Sequence, residues 1–239
     1  TGDWYLNGGT IQNGTIETVG AARLRATSNL SNQIRNVVLE GNLNVNDNRA
    51  VLQIDQGLVV NGVLTVGGNA FLRIDGDETF SGSGQILMTG LASYIEGAGD
   101  GTLTIESGLT VRGQGRLVSG SGQAGAASLV NRGTIIADQA GRTLILRGSR
   151  AEGTVVNEGT LRVENGATLD IKDAALLSGT LVSIAAATIR LPGSFVSPTR
   201  QVAAFAPNGI TELRGAGTST APQLLETMSR DLGDVATGY

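Results

Sequence analysis

The sequence predicts an all-β protein, a single-stranded parallel β-solenoid, and two observations support that prediction. Short stretches that alternate apolar and polar residues recur along the chain, each after a glycine turn, most clearly Thr160–Val163 and Thr168–Ile171. The glycines before these stretches are separated by roughly 21, 22, 24, 25, 26 and 20 residues, a spacing typical of solenoid coils. They are Gly41, Gly62, Gly84, Gly108, Gly133, Gly159 and Gly179. We expect about seven to nine coils in a right-handed β-helix.

The composition fits a narrow interior filled by aliphatic side chains. Hydrophobic residues make up 40% of the chain but aromatic residues only 3%, so the core must consist of stacked Val, Ile and Leu. The 36 glycines and 4 prolines suit a chain that turns often yet needs its backbone N–H groups for pairing between coils. The alternation places Leu161, Val163, Leu169 and Ile171 inside, and Arg162, Glu164 and Asp170 outside.

The pattern divides the chain into four parts. Residues 1–40 hold the N-terminal strands and first coils, and residues 41–191 form the regular solenoid. Residues 192–214 are expected to form a terminal coil or edge strands, because the repeat weakens and prolines accumulate there. Residues 215–239 are interpreted as a glycine-rich linker followed by an amphipathic tail.

The tail carries a predicted helix over residues 223–232. Leu224, Leu225, Met228 and Leu232 fall on one face at helical spacing, and Gly233 stops the pattern. Such a helix has two interpretations. It caps the open end of its own solenoid, or it docks on the next subunit of an assembly.

Residue types limit the chemistry. The chain has no histidine and no cysteine, which excludes Ser-His-Asp and Cys-His catalysis and a conventional zinc site. Its acids are scattered, and Trp4, Tyr5, Tyr94 and Tyr239 lie too far apart in sequence to suggest a sugar platform, so a polysaccharide lyase or hydrolase is the least favoured alternative. We predict no catalytic, cofactor or metal site. Residues 75–78 are interpreted as a solvated acidic turn, with a calcium-binding loop as the alternative.

Three asparagines are expected to occupy the same place in their coils. They are Asn61, Asn131 and Asn157. We interpret them as a partial asparagine ladder inside a turn, in which each amide bonds to the backbone and to its neighbour in the next coil.

The charge argues against a nucleic-acid partner, and the hydropathy argues against a membrane-spanning helix. The net charge is −4 and the isoelectric point is near 4.9, whereas nucleic-acid binding needs a basic surface. No apolar run approaches the ~20 residues of a membrane helix, so we expect no membrane span.

The Asn-x-Gly-Thr-aliphatic repeats across residues 6–190 resemble the passenger regions of bacterial autotransporters and related extracellular adhesins, in repeat style only. The resemblance implies a right-handed β-helix displayed on, or released from, a bacterial cell surface. It therefore implies an extracellular structural or adhesive protein.

The ends of the solenoid indicate how such a protein could assemble. The N-terminal strand contains Trp4, Tyr5 and Leu6. This strand is apolar and aromatic, whereas a polar cap would be expected at the end of a solenoid. The two ends differ, so a contact between them is heterologous and repeats openly. We therefore expect a non-catalytic subunit of a head-to-tail homo-oligomeric fibre, joined through residues 1–9 and 221–239. The alternative is a monomeric adhesin or carbohydrate-binding module whose partners are glycans or a cell surface.

Overall fold

The computed structural model describes residues 2–98, 101–118, 127–148, 153–172, 174–184 and 186–192, and the backbone of short strands at 195–196, 204–205 and 210–213. These residues form an all-β parallel solenoid of about seven turns, which confirms the predicted fold class. The described part contains strands and turns and no helix.

The first face is a sheet of ten strands that pair in parallel with the next strand of the same face. Its strands, in order along the solenoid, are β1 (Trp4–Leu6), β3 (Leu24–Ala26), β5 (Asn42–Val45), β7 (Val63–Val66), β10 (Gln85–Met88), β13 (Thr110–Gly113), β16 (Thr134–Ala137), β19 (Thr160–Val163), β22 (Thr180–Ser183) and β25 (Ala204–Phe205).

A second sheet of sixteen strands supplies the other two faces. Three long strands bend round the corner between them: β2 (Gly9–Ile16), β4 (Asn32–Leu39) and β6 (Val51–Val60). Beyond β6 the sheet divides. The second face continues through β8 (Phe71–Asp75), β11 (Tyr94–Ala98), β14 (Gly115–Leu117), β17 (Thr143–Leu146), β20 (Thr168–Ile171), β23 (Thr188–Leu191) and β26 (Ile210–Leu213). The third face continues through β9 (Glu78–Ser81), β12 (Thr102–Ile105), β15 (Ser128–Asn131), β18 (Thr154–Asn157), β21 (Ala174–Leu177) and β24 (Phe195–Val196).

Alternation along each strand produces a continuous aliphatic core. Ile135, Leu161 and Leu181 stand in register on neighbouring strands of the first face and are all buried. The four residues predicted inside are buried as expected, and Arg162 and Glu164 are half-buried on the outside. Asp170, also predicted outside, alternates with the buried Leu169 and Ile171 but is itself covered. This residue is only 5% exposed, and its carboxylate pairs with Lys172 at 3.0 Å.

The glycines that begin the strands are explained by close approach between coils. A Cβ added to Gly159 would lie 2.2 Å from the carbonyl oxygen of Gly133, and one added to Gly179 would lie 2.1 Å from that of Gly159. Neither Gly159 nor Gly179 has a positive φ, so the requirement comes from contact with the neighbouring backbone. The repeated glycines therefore stack in two runs, Gly41 with Gly62 and Gly84, and Gly133 with Gly159 and Gly179. Gly108, between the two runs, has a φ of 94° and approaches Gly82.

Several expectations fall outside this description. The helix predicted over 223–232, with Leu224, Leu225, Met228 and Leu232, lies outside the described residues. The right-handed winding of the β-helix stays a prediction. None of the described residues forms a helix long and apolar enough to cross a membrane.

Candidate assembly site at the ends of the solenoid

The outer edge of the first coil carries no partner strand among the described residues. The Trp4 N–H donates to the carbonyl of Arg23 at 2.9 Å, and the carbonyl of Leu6 accepts from the Thr27 N–H at 3.1 Å. Alternate residues of a parallel strand bond to opposite sides. The N–H and C=O of Tyr5 therefore point away from the sheet, toward the open edge.

Trp4 occupies a core position that none of the described residues covers. It stands in register with Leu24, whose side chain is inward and buried, yet Trp4 is 77% exposed. Leu6 and Ile11 belong to the same first coil and are only partly buried against the core. The first coil thus presents inward-facing apolar side chains that would be buried if a further coil were stacked on it.

An apolar cavity of about 660 Å³ opens at this end. Its lining includes Trp4, Ile11, Ile16, Val19 and Leu24. Val19 is 77% exposed, which adds to the apolar surface. Exposed apolar surface that is continuous, with polar groups at its rim, is typical of an interaction site.

Arg25 ties the first coil to the next two. Its guanidinium pairs with Asp3 at 3.3 Å and with Asp47, and it lies 5.9 Å from the centre of the Tyr5 ring. The hydrogen bond to Asp47 is the main cause that raises the pKa of Arg25 above its usual value; the bond to Asp3 also raises it, and burial opposes both. These contacts hold β1 in place, so the open edge is ordered.

Asn32 also connects the first three coils, and the interpretation of the sequence missed it. It is completely buried, and its Oδ1 accepts from the Gly8 N–H at 2.7 Å. Its Nδ2 donates to the carbonyls of Thr27 at 2.9 Å and Val51 at 3.1 Å. One amide therefore connects three successive coils.

The other end of the solenoid also has open edges. Each of β24, β25 and β26 pairs only with the strand before it on its face, within the part of the chain that the structure describes. The two ends therefore both offer strand edges on all three faces. The tail residues predicted to take part in assembly lie beyond this region.

The asparagine ladder has two members and not three. Asn131 and Asn157 are in register and buried, and the Nδ2 of Asn131 donates to the Oδ1 of Asn157 at 2.7 Å. Asn61 is exposed; its side chain bonds to Glu40 at 2.8 Å and accepts from the Ser83 N–H at 3.2 Å. The structure thus brings two of the three predicted residues together.

The acidic turn at residues 75–78 directs two of its carboxylates at the backbone. Asp77 accepts from the Thr102 N–H at 2.8 Å, and Glu78 accepts from the N–H groups of Gln56 at 2.8 Å and Gly57 at 2.6 Å. Burial raises the pKa of Glu78, and the two N–H bonds oppose that rise. Among the described residues no group of three or more acidic, histidine or cysteine side chains is placed to hold a metal ion.

Phe71 and Tyr94 form an aromatic pair that the sequence interpretation missed. They stand one coil apart in register on the second face, with ring centroids 5.0 Å apart and planes within 7°. Arg73 lies 5.3 Å from the Phe71 ring centre, and Arg116 lies 5.6 Å from that of Tyr94. The rings stack on each other and on guanidinium groups, an arrangement that stabilises the sheet surface.

A small polar cleft lies beside this pair. It has a volume of about 250 Å³, and its lining includes Gln33, Gln53, Asp55, Arg73 and Asp75. Four of these side chains are engaged with neighbours. Asp55 pairs with Arg35 at 2.8 Å, and Arg73 donates to Glu96 at 2.6 Å. Gln53 donates to the carbonyl of Leu30 at 2.7 Å, and Gln33 accepts from the Thr10 hydroxyl at 3.3 Å. The cleft offers both donors and acceptors to solvent.

The fold and these ends define a class of protein, a parallel β-solenoid with unpaired strand edges. The repeat architecture agrees with the repeat style noted in the sequence. No family model, no curated protein and no solved structure matches the chain.

Proposed function

We propose that this protein is a non-catalytic structural subunit that assembles head to tail into an extracellular bacterial fibre. The observation that supports the proposal is Trp4, an aromatic residue at a core position that remains 77% exposed at an open strand edge. Covering this end would bury the apolar cavity and satisfy the outward N–H and C=O of Tyr5. The repeat style of the sequence is the reason for an extracellular location.

A second copy of the chain suits this end because of strand polarity. Every pair along the solenoid is parallel, so the strands of one face all run in the same direction. A copy translated along the axis therefore presents strands of the correct direction to β1 and β2. The last strands, β24, β25 and β26, lie on the same three faces that β1 and β2 occupy. Such a contact is heterologous and repeats without closing.

The test uses the outward N–H of Tyr5. Tyr5→Pro removes that donor without removing a bond between β1 and β3, since proline is tolerated on an edge strand whose N–H faces solvent. Tyr5→Ala is the matched control, because it also loses the ring but keeps the N–H. We expect fibres in negative-stain micrographs of the unchanged protein and of Tyr5→Ala, and shorter or no fibres for Tyr5→Pro.

Two outcomes would overturn the proposal. One is an unchanged protein that stays monodisperse in light scattering at high concentration. The other is fibres of equal length from Tyr5→Pro and Tyr5→Ala, which would mean that β1 does not pair. Removal of residues 1–9 should also abolish the fibres.

The polar cleft beside Phe71 favours a second candidate function, a carbohydrate-binding adhesin. Amide, carboxylate and guanidinium groups bind hydroxyl groups well, and Gln33, Gln53 and Asp75 lie together in the cleft. A glycan array tests this function. Binding that is lost in Gln53→Ala but kept by Tyr5→Pro would favour the adhesin.

A further inference from the structure

The outer surface of the third face carries three apolar residues in a row. Val130, Val156 and Leu176 stand in register on β15, β18 and β21, and their side chains point outward. Val130 and Val156 are half-buried and Leu176 is 37% exposed. We call these three residues the apolar stripe.

The apolar stripe is confined to the later coils. In the same column, the preceding strands place Thr104 next to Val130 and Thr79 next to Thr104. On the other side, the backbone of Val196 pairs with that of Leu176. The column thus changes from threonine to aliphatic residues toward the C-terminal end of the solenoid.

The path of the chain points to what covers the stripe. In every coil the chain passes from the second face to the third, as from β17 to β18 and from β20 to β21. The last described strand, β26, lies on the second face. Residues 214–239 follow it, at the point of the coil where every earlier coil passes to the third face.

We propose that the segment 221–232 of the same chain docks on the apolar stripe. Its apolar residues, at helical spacing, are Leu224, Leu225, Met228 and Leu232. Residues 223–232 in helical form are about 15 Å long. The apolar stripe runs from β15 to β21, two strand spacings or about 10 Å. The segment is therefore long enough to cover the stripe and matches it in polarity, and its docking does not depend on fibre formation.

Cysteine pairing tests the contact directly, because the chain has no cysteine of its own. The test variant combines Leu176→Cys with Met228→Cys. The control combines Thr104→Cys with Met228→Cys, and Thr104 lies in the same column three strand spacings, about 14 Å, from Leu176. A disulfide needs Cα atoms within about 7 Å. We expect mild oxidation to give a monomeric cross-linked product in the test variant at least tenfold faster than in the control.

Each other result overturns the inference. Cross-linked dimers would mean that the stripe is covered by another copy of the chain. Equal or absent cross-linking in the two variants would mean that this segment does not dock there. Gel mobility with and without reductant separates the monomeric product from the dimer.

Limited proteolysis provides an independent readout. Changing Val156 and Leu176 to Thr extends the polar column that Thr79 and Thr104 begin, and both positions are only partly covered in the coil. We expect trypsin to cleave after Arg230 several-fold faster in this variant than in the unchanged protein. Identical cleavage rates would contradict docking on the stripe.

Discussion

Replacing Asn32 should loosen the N-terminal coils and leave the others intact. Asn32→Ala removes the bond to the Gly8 N–H and two bonds to the carbonyls of Thr27 and Val51. Each hydrogen bond is worth about 0.5–1.5 kcal/mol, and a buried group left without a partner costs about 1–3 kcal/mol. Val51 is buried, whereas Gly8 is exposed and can bond to water. We therefore expect a loss of about 2–4 kcal/mol.

The loss should be local because a solenoid coil contacts only its neighbours. Amide hydrogen exchange followed by mass spectrometry measures it strand by strand. A loss of 2–4 kcal/mol corresponds to exchange about 30- to 900-fold faster, since each tenfold change is about 1.36 kcal/mol. We expect this acceleration in β1 to β4 and unchanged exchange from β13 onward.

Two further variants make this prediction specific. Asn29→Ala changes a neighbouring, partly exposed asparagine whose Oδ1 accepts from the Ser31 N–H of the same turn at 2.9 Å. In this variant, amide exchange in β1 to β4 should change less than about fivefold. Asn32→Asp keeps the acceptor for Gly8 but places a buried carboxylate against the carbonyls of Thr27 and Val51, so it should accelerate exchange at least as much as Asn32→Ala. Uniform acceleration through all coils, or none, would refute the reasoning.

Three other changes test the core and its polar groups. Leu161→Asp places an unpaired charge in the aliphatic interior and should lower the free energy of unfolding by more than about 4 kcal/mol, whereas Thr180→Asp on the exposed side should change it by less than about 1 kcal/mol in urea titrations. Asn157→Leu leaves the Asn131 amide without its partner and should cost about 1–3 kcal/mol, but replacing both asparagines by Leu should be nearly neutral; equal costs would contradict their coupling. Because the pKa of Glu78 is raised in the folded protein above the ordinary 4.5, its contribution to stability is present below that value and is lost as the pH rises through the folded pKa. The free energy of unfolding, relative to Glu78→Gln, should therefore increase from pH 7 to pH 4, and a flat difference would contradict this sign.

The sequence contained enough information for the interior but not for the lateral contacts. Alternation within Thr160–Val163 shows which side chains are buried, because a strand sends successive residues to opposite faces. Which residues meet on neighbouring coils depends on the lengths of the intervening turns. Phe71 and Tyr94 stack only because the turns between them place β8 and β11 in register.

Asn61 is a single residue whose position in the coil could not be predicted from the sequence. Its N–H bonds to the carbonyl of Leu39, as the N–H of Arg132 bonds to that of Ile105. Asn61 therefore corresponds to Arg132, one position after Asn131. A shift of one residue turns a strand side chain to the opposite face. The repeat sequences around Asn61 and Asn131 are alike, but the Asn131 side chain is buried and that of Asn61 is exposed.

The stacked glycines make the length of this rod adjustable. The contact between Gly159 and Gly133 is repeated between Gly179 and Gly159, so these three coils meet through the same spacing. A chain that lacked residues 134–159 would still place a glycine beside a glycine at that position. Its rod would be shorter by one coil, about 4.8 Å, and Asn131 would lose its partner Asn157. Duplication and loss of whole coils can therefore set how far the two ends stand apart without redesigning either of them.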